Sequence, residues 1–488
     1  MKKLLSCAAA IMMVLGAQAQ ARDYSQYYQN LPTKVAQVTA PVIPANEVII
    51  TEVGGVGDGV TLNTEAFEKA IKKLQKMPGA GGRVTVPQGV WLTGPIQLKD
   101  NIELHLEKNA ILLMSPDKSL FVDPKRPNAK CLTGIRASKR KNIAITGKGI
   151  IDGNGDHWRP VKRTKVSDVE WSKYKNIIGG VEKGEGKNML FYPWDDKGGY
   201  PNIAATPEKQ EKMRVDLVRF ESCENILVEG VTIQNSPKFH LHPCYSKNVI
   251  IDGVTVRCPW NAQNGDAIDL SDCNIALIVN STVDAGDDGL CMKSGRNKPE
   301  APANGCEDIL IMNNTVFHAH GAFVLGSETQ QAMRRIVVRN CRFSGTDTGL
   351  RFKSGLGRGG KTEQMFISDI VMTDIKDEAI VFQCDYFDKP AGSTKKDPEF
   401  TDFTEEQQQA IPIFQDIHIN NVVCRGAKTG IKASGSLGLG AEYDKAPYVN
   451  NIDIQNTTIV YQKDGQVIDN KTAQLKLTNV RLLPEKQQ

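Results

Sequence analysis

The chain has 488 residues, of which 40% are hydrophobic and only 6% aromatic, and its formal net charge is +4 at neutral pH. This small net charge gives no information about binding partners, and we expect no nucleic-acid partner. By length alone the chain could form two domains.

The N-terminus has the pattern of an export signal. Lys2 and Lys3 precede an apolar run from Leu4 to Ala17, and Ala17-Gln18-Ala19 offers small residues for cleavage. This pattern predicts a secretory signal peptide over residues 1–19, too short to remain as a membrane anchor. We therefore expect an exported protein, periplasmic or extracellular, with no integral membrane segment.

Residues 20–45 form an N-terminal extension, after which the first helical pattern appears between Asn63 and Lys76. Asn63 or Thr64 can cap its first turn. One face of the predicted helix is apolar, and an amphipathic helix at this place can cover the open end of a solenoid. The residues of that face are Ala66, Phe67, Ala70, Ile71 and Leu74.

A repeat of short strands dominates the rest of the chain. The segment from Glu224 to Ile233 recurs 23 residues later from Lys247 to Val256. Apolar residues alternate with polar ones, β-branched residues are frequent, and Asn, Asp or Gly ends each run, which indicates strands joined by tight turns. A period of 20 to 30 residues matches one turn of a parallel β-helix. Looser copies begin near Asp308, Arg335, Asp416 and Asn451.

The repeats favour a single elongated all-β domain, a parallel β-helix with a short N-terminal capping helix, over residues 46–485. A β-sandwich or propeller would need paired hairpin turns or a regular period near 40, and the sequence has neither. An irregular insertion interrupts the repeats at about 156–213. It is rich in aromatic residues, namely Trp158, Trp171, Tyr174, Tyr192, Trp194 and Tyr200.

The chain keeps ten of its 11 cysteines if the signal peptide, with Cys7, is removed. Most of them lie in or beside strand motifs, so stacked buried thiols are at least as consistent with the sequence as disulfides. No Cys-x-x-Cys pair suggests zinc, and we expect no metal or other cofactor.

Three aspartates, Asp266, Asp287 and Asp288, are separated by about one repeat. Because successive coils of a β-helix are about 4.8 Å apart, this spacing can bring the three carboxylates together. A pair of carboxyl groups is the minimum equipment of a glycoside hydrolase, one to protonate the leaving oxygen and one to activate water. Gly286 and Gly289 permit a sharp turn and a close approach of substrate. The alternative is that these carboxylates only cap turns.

Further polar residues follow at later coils. His320, beside Gly321, is a candidate catalytic residue, although a lone histidine is often structural. Arg351 and Lys353 are two residues apart in a predicted strand and therefore share one face. They can either neutralise the carboxylates or bind an anionic substrate, since a guanidinium grips a carboxylate through two hydrogen bonds.

These elements together resemble glycoside hydrolase family 28, the polygalacturonases and their relatives. Members carry Asn-Thr-Asp, Gly-Asp-Asp, Gly-His-Gly and Arg-Ile-Lys motifs on successive coils of a right-handed parallel β-helix. The departures here, Gly265, Ala319 and Phe352, fall at supporting positions. The four motifs read Asn264-Gly265-Asp266, Gly286-Asp287-Asp288, Ala319-His320-Gly321 and Arg351-Phe352-Lys353.

The resemblance covers about residues 45 to 470. The segments from Gly57 to Thr64 and from Pro87 to Pro95 look like the cap and first coils of pectin-degrading β-helix enzymes. The segment from Ser236 to Pro243, which contains His242, resembles the coil before the active site.

The resemblance implies hydrolysis of α-linked galacturonic acid with inversion. Asp287 is then expected to be the general acid, Asp266 and Asp288 to activate water, and His320 to support the protonation state of the acid. Arg351, Lys353 and His242 are expected to bind substrate. Like-charge repulsion can keep one of three clustered carboxyls protonated, and inversion requires an acid–base separation of about 6.5 to 9.5 Å.

Exo action is expected, because a long aromatic insertion can close one end of an open cleft into a pocket for chain ends. The alternative is that the insertion is a surface flap or a subunit contact. The alternatives on the same fold are an endo-polygalacturonase, a rhamnogalacturonan-type hydrolase, a calcium-dependent pectate lyase and a non-catalytic carbohydrate-binding β-helix.

Overall fold

The computed structural model describes residues 22–125, 131–176, 181–192, 206–295, 297–387 and 396–485. Within these ranges, 28 strands form one continuous parallel sheet that winds into a helix, so the predicted all-β parallel β-helix is confirmed. The predicted signal peptide lies outside the described residues. In the described part of the chain, no helix is both long and apolar enough to cross a bilayer.

The strands before the insertion are Glu47–Ile49, Gly82–Val86, Gly89–Thr93, Ile96–Gln97, Ile102–Leu106, Ala110–Met114, Ile135–Ser138, Lys141–Gly147 and Ile150–Asp152. Those after it are Val218–Glu221, Glu224–Glu229, Thr232–Gln234, Leu241–Cys244, Lys247–Asp252, Thr255–Arg257, Ile268–Ser271, Asn274–Val279, Thr282–Asp284, Leu290–Ser294, Cys306–Met312, Thr315–Val316, Gly321–Thr329, Met333–Ser344, Thr348–Lys353, Lys361–Gln383, Ile413–Ser434, Val449–Ile468 and Ala473–Pro484.

Helical segments are short. The α-helices are Thr64–Leu74, Asp168–Lys175, Pro207–Met213 and Glu405–Gln409. The 3-10 segments are Ser25–Tyr28, Ile50–Val53, Lys118–Phe121, Gly155–His157, Arg163–Lys165, Gly186–Asn188 and Phe400–Asp402.

Successive coils stack in register. Ile226 pairs with Val249, Val249 pairs with Ala276, and Ala276 pairs with Ile309. All four side chains are fully buried in the interior. Because strand side chains alternate between the two faces, this register sends every second residue of the repeat into one continuous apolar core.

Asparagines set one corner of the coils. Asn142, Asn225 and Asn248 have left-handed backbone conformations with φ of 53°, 57° and 57°. Among residues other than glycine, asparagine and aspartate adopt this conformation most readily. Their amides also bond along the helix axis, at 2.9 Å from Asn225 to Asn142 and 2.8 Å from Asn248 to Asn225. The asparagines at the start of these sequence repeats therefore turn the chain and tie neighbouring coils together.

The interior contains stacked aromatic rings and free thiols. The rings of Phe352 and Phe382 are parallel, with centroids 4.3 Å apart, and Phe414 packs edge-on against both. All ten cysteines after Cys7 are buried and unpaired, so they contribute to packing and form no disulfides.

The predicted capping helix exists as Thr64–Leu74, and its five predicted apolar residues are all buried against the first coils. The predicted cap is wrong in one respect, because neither the Asn63 side chain nor any other caps the first turn. The Asn63 amide is instead buried and bonds to the backbone of Val56, Thr61 and Leu92, so it joins the helix to the preceding loop and a strand.

Residues 22–45 lie along the outside of the β-helix. Val35 and Val38 pack on Leu227, Ile250 and Leu277, which point outward from three successive coils. A pair of hydrogen bonds between Asn248 and the Thr39 backbone fixes this segment, which we call the N-terminal strap.

The insertion has its own small fold. Strands Val161–Lys162, Val181–Lys183 and Leu190–Tyr192 form an antiparallel sheet. Trp171 packs with Val161 and Phe191 in a separate apolar cluster. Trp194 and Tyr200, also expected in this insertion, lie outside the described residues.

Two variants of Asn248 separate its backbone role from its side-chain role. Asn248→Gly keeps the left-handed turn but loses the bonds to Thr39, so we expect faster amide exchange in the strap. Asn248→Ala loses the same bonds and adds strain of about 1 to 2 kcal/mol. Urea denaturation should therefore rank the midpoints wild type, then Gly, then Ala. Equal exchange in the strap for all three proteins would contradict this role.

Candidate active site

The three predicted aspartates meet at one row of parallel strands. Asp266 lies just before strand Ile268–Ser271, and Asp287 and Asp288 lie just before strand Leu290–Ser294. These strands pair in parallel, so aspartates that are one repeat apart in sequence lie on adjacent coils. One carboxylate oxygen from each aspartate lies within 4.8 Å of the others.

Asp288 is buried and paired with both predicted cations. Its Oδ2 lies 2.7 Å from Lys353 Nζ, and its Oδ1 lies 3.8 Å from Arg351 Nη1. Burial raises the pKa of Asp288, but the attraction of Lys353 and Arg351 outweighs both burial and the repulsion of Asp287 and lowers it overall. Lys353 is therefore held chiefly by Asp288, whereas Arg351 is more accessible, with 20% of its side chain exposed against 8% for Lys353.

Asp287 is paired with His320. The distance from His320 Nδ1 to Asp287 Oδ1 is 3.0 Å, and the backbone N–H of His320 donates to the carbonyl of Asp287. Burial raises the pKa of Asp287, but His320, Lys165 and Lys353 outweigh this effect and hold it well below its ordinary value. The predicted neighbourhood of His320 and Asp287 is thus present.

Asp266 has the opposite shift. Its Oδ2 lies 3.2 Å from Lys293 Nζ, which it shares with the fully buried Asp269. Burial, together with the repulsion of Asp269, Asp287 and Asp288, raises the pKa of Asp266 well above its ordinary value despite Lys293. In the free protein, the directions of the pKa shifts therefore favour Asp266 as the carboxyl that holds a proton.

One of the three carboxyls was expected to stay protonated, and the pKa directions favour Asp266 for this. The family resemblance, in contrast, assigns the acid role to Asp287. The nearest oxygens of the cluster are also closer than the expected acid–base gap of about 6.5 to 9.5 Å. This separation gives no support for inversion. The acid role of Asp287 and the inversion both stay predictions from the resemblance.

Two carboxylate oxygens of the cluster have unused capacity to accept hydrogen bonds. Asp266 Oδ1 and Asp288 Oδ1 are buried and have no hydrogen-bond partner among the described residues. A buried carboxylate oxygen without a partner is costly, so these atoms are suited to accept hydrogen bonds from water or a sugar hydroxyl. The three carboxylates have spacing that can also hold a cation. Lys293 and Lys353 already supply positive charge there.

His242 does not have the predicted access to substrate. Its Nδ1 lies 2.8 Å from Asp216 and its Nε2 lies 2.9 Å from Ser271, and only 6% of the residue is exposed. Burial lowers its pKa, but Cys244 and Asp216 outweigh burial and raise it to about 9. Because both ring nitrogens already have partners, His242 is suited to a structural role beside the site and not to binding a sugar.

The neighbouring His240 has a positioning role that the sequence did not reveal. Its backbone N–H and its Nδ1 both lie 2.9 Å from the carbonyl oxygen of Asp266. Burial lowers its pKa to about 4, so the ring is neutral at ordinary pH. Its Nε2 accepts a bond from the backbone of Ser236, which fixes the tautomer.

Lys165 reaches the cluster from the insertion. Its Nζ donates to the carbonyl oxygens of Gly286 at 2.7 Å and Ala262 at 3.2 Å. Burial lowers the pKa of Lys165, while Asp287 and Asp266 act in the opposite direction. An antiparallel bridge between Val161 and Ala262 ties the insertion to the same loop. The insertion therefore forms one wall of the site.

Lys165, Lys293, Asp269 and His240 were not identified from the sequence. Lys293 and Asp269 lie in strands whose pattern of apolar and polar residues is the same as in the other coils. Their ion pair can therefore be recognised only once the register of the strands is known. The one available signal was that charged residues rarely occupy buried strand positions without a partner.

Comparisons with known proteins agree with this geometry. The sequence profile described as "Glycosyl hydrolases family 28" matches residues 166–406, which contain all four motifs. The chain belongs to family 28 of the glycosyl hydrolases. A crystal structure of a hyperthermoactive exopolygalacturonase from Thermotoga maritima is similar with a TM-score of 0.69 and 28% identity, covering 92% of this chain and 94% of that one.

Two curated relatives are longer than the region that aligns with this chain. An exo-poly-alpha-D-galacturonosidase from Dickeya chrysanthemi is 29% identical over 72% of this chain, and a probable polygalacturonase from Vitis vinifera is 28% identical over 68%. The alignments span only 59% and 62% of those relatives' own lengths.

Replacing Lys165 tests which aspartate bears the catalytic proton. Lys165→Met removes a charge that lowers the pKa of Asp287, so that pKa should rise. If Asp287 is the general acid, the alkaline limb of the kcat/KM profile moves to higher pH; if Asp287 is a base, the acid limb moves instead. The exposed Lys173→Met on the same insertion is the control and should shift neither limb. An unchanged profile for Lys165→Met would contradict the coupling.

Proposed function

We propose that this protein is an exo-acting glycoside hydrolase that removes α-linked galacturonic acid from the ends of pectic polysaccharides or oligosaccharides. The observation that carries this proposal is the arrangement of three carboxylates within 4.8 Å beside Arg351 and Lys353. The carboxylates supply acid and base, and the cations match the negative charge of a uronic acid.

Arg351 is the better placed of the two cations for the substrate carboxylate. It lines an open cleft of about 300 Å³ with His320, Thr348 and Gln383. Tyr386 lies under both cations, with centroid distances of 5.8 Å to Arg351 and 5.1 Å to Lys353. This aromatic contact limits the positions of the two side chains and favours a defined carboxylate geometry.

The roles in the proposed catalytic cycle are those that the family resemblance implies. Asp287 protonates the glycosidic oxygen while Asp266 and Asp288 activate a water molecule, and His320 controls the charge of Asp287. The pKa of Asp266 is raised and that of Asp287 is lowered, so this cycle requires a proton to move from Asp266 to Asp287 when substrate binds. Inversion at the anomeric carbon follows if water attacks directly.

Exo action is supported by the insertion and by the names of two relatives. Lys165 anchors the insertion against the carbonyls of Ala262 and Gly286, beside the cluster. A wall at this place leaves room for the end of a chain and obstructs its continuation. The Dickeya and Thermotoga proteins are both named as exo-acting. We further propose export by the N-terminal signal, because a pectic polymer lies outside the cell.

Product analysis tests the proposal directly. Incubation with polygalacturonic acid should release saturated galacturonic acid monomer as the first product, detected by chromatography. Asp287→Asn should reduce kcat about 10²- to 10⁴-fold, the usual contribution of a general acid. The matched control is Asp369→Asn, a turn aspartate with φ of 58° whose acceptor Oδ1 the amide retains. It should retain full activity.

Each other product has a defined meaning. Longer oligomers as first products would indicate endo action, and activity only on rhamnogalacturonan fragments would change the substrate. Unsaturated products that require calcium would overturn the hydrolase proposal in favour of a lyase. Proton NMR of the first turnover should show the β-anomer, and an α-anomer would contradict inversion.

Charge recognition at Arg351 can be tested with methyl-esterified substrate. Arg351→Gln removes charged hydrogen bonds worth about 1.5 to 3 kcal/mol, so kcat/KM on free galacturonate oligomers should fall about 10- to 100-fold. The loss on fully methyl-esterified oligomers should be much smaller. The exposed Arg342→Gln is the control. Equal losses on both substrates would show that Arg351 does not read the carboxylate.

A further inference from the structure

One tryptophan near the cluster is exposed. Trp260 has 61% of its surface accessible, whereas Trp91, Trp158 and Trp171 are all at least 93% buried. Single exposed apolar residues are common on proteins, so exposure alone carries no function. The indole of Trp260, however, is held by specific contacts with neighbouring side chains.

The indole of Trp260 is held in one orientation. Its Nε1 donates to Asp284 Oδ1 at 2.8 Å. One face stacks on the ring of His318 with centroids 4.4 Å apart and an angle of 10°. His318 is fixed in turn by a bond of 2.6 Å from its Nδ1 to the carbonyl of Ala285. One face of the indole is therefore covered, and the other is presented to solvent with little rotational freedom.

The same loop presses against the catalytic turn. A Cβ at Gly286 would lie 2.7 Å from the carbonyl oxygens of both Pro259 and Ala262, the residues on either side of Trp260-Asn261. Asp284, which holds the indole, is three residues before Asp287, a distance of at most about 11 Å along the chain. Trp260 thus stands on the rim of the cluster.

Trp260 and Arg351 are held by different aspartates beside the cluster. The indole is fixed by residues that precede Asp287, at the turn that leads into strand Leu290–Ser294. Arg351 projects from within strand Thr348–Lys353 and contacts Asp288. The indole and the guanidinium therefore have separate supports, and a substitution of Trp260 leaves the contact between Arg351 and Asp288 in place.

We propose that the open face of Trp260 is a stacking platform for a pyranose ring of the substrate. This inference rests on the proposed function and adds a specific contact to it. The C–H groups on one face of a pyranose can be buried against a flat aromatic ring, while its hydroxyls stay hydrated. An indole that is already immobile loses little conformational entropy when the sugar binds.

The platform predicts a defined kinetic effect. Trp260→Ala should raise KM on galacturonate oligomers about tenfold, because the sugar can no longer bury one face against the indole. If the ring binds the ground state and the transition state equally, kcat should change little. Trp260→Phe keeps a flat ring and should recover most of the loss. The pH profile of kcat/KM should not move in either variant, which separates this role from a disturbance of Asp287.

Binding can be measured without turnover in the Asp287→Asn protein. Galacturonate oligomers should change its tryptophan fluorescence, and the change should vanish when Trp260→Ala is added. A persistent signal and an unchanged KM in Trp260→Ala would overturn the platform while the proposed function stands. If the wild type hydrolyses no galacturonate, the proposed function fails. The platform survives that result only if another oligosaccharide, such as a neutral one, gives a signal that depends on Trp260.

Discussion

The exact alignment of one coil on the next is the constraint on which the whole structure depends. Ile226, Val249, Ala276 and Ile309 occupy equivalent interior positions because their strands pair in parallel without a shift. A slip of one residue would send each of these side chains to the opposite face. The same register places Asp266 beside Asp287 and Asp288, so the alignment that builds the core also builds the cluster of three aspartates.

Charge balance is the second constraint, and it acts locally. Four carboxylates, those of Asp266, Asp269, Asp287 and Asp288, share one buried region. Lysines at three different places in the fold reduce the cost of this burial. Lys293 comes from the coil of the Asp287–Asp288 pair, Lys353 from two coils later, and Lys165 from the insertion. The pKa shifts have opposite directions because His320 outweighs burial at Asp287 and Lys353 outweighs it at Asp288, whereas Asp266 and Asp269 share Lys293 and burial prevails there.

The sequence was sufficient for the features that repeat. Alternating apolar residues and polar turn residues predicted the coils, and the spacing of the aspartates predicted their meeting. It was insufficient for features that depend on contacts across the repeat. The sequence predicted that His242 binds substrate, yet both of its ring nitrogens are hydrogen-bonded, one to Asp216 and the other to Ser271. Lys165 lies in an irregular segment whose path no periodicity describes, and only the folded chain shows it bonded to Gly286.

The N-terminal strap has a consequence for the order of folding. Thr39 bonds to Asn248, 209 residues later, and Arg22 bonds to Glu229, 207 residues later. Contacts over such separations form late, because the intervening chain must first be brought together. The earliest part of the described chain to be synthesised is therefore among the last to dock. It closes over outward-facing Leu227 and Ile250 only after the coils that carry them have stacked, so partly folded chains leave this apolar stripe uncovered.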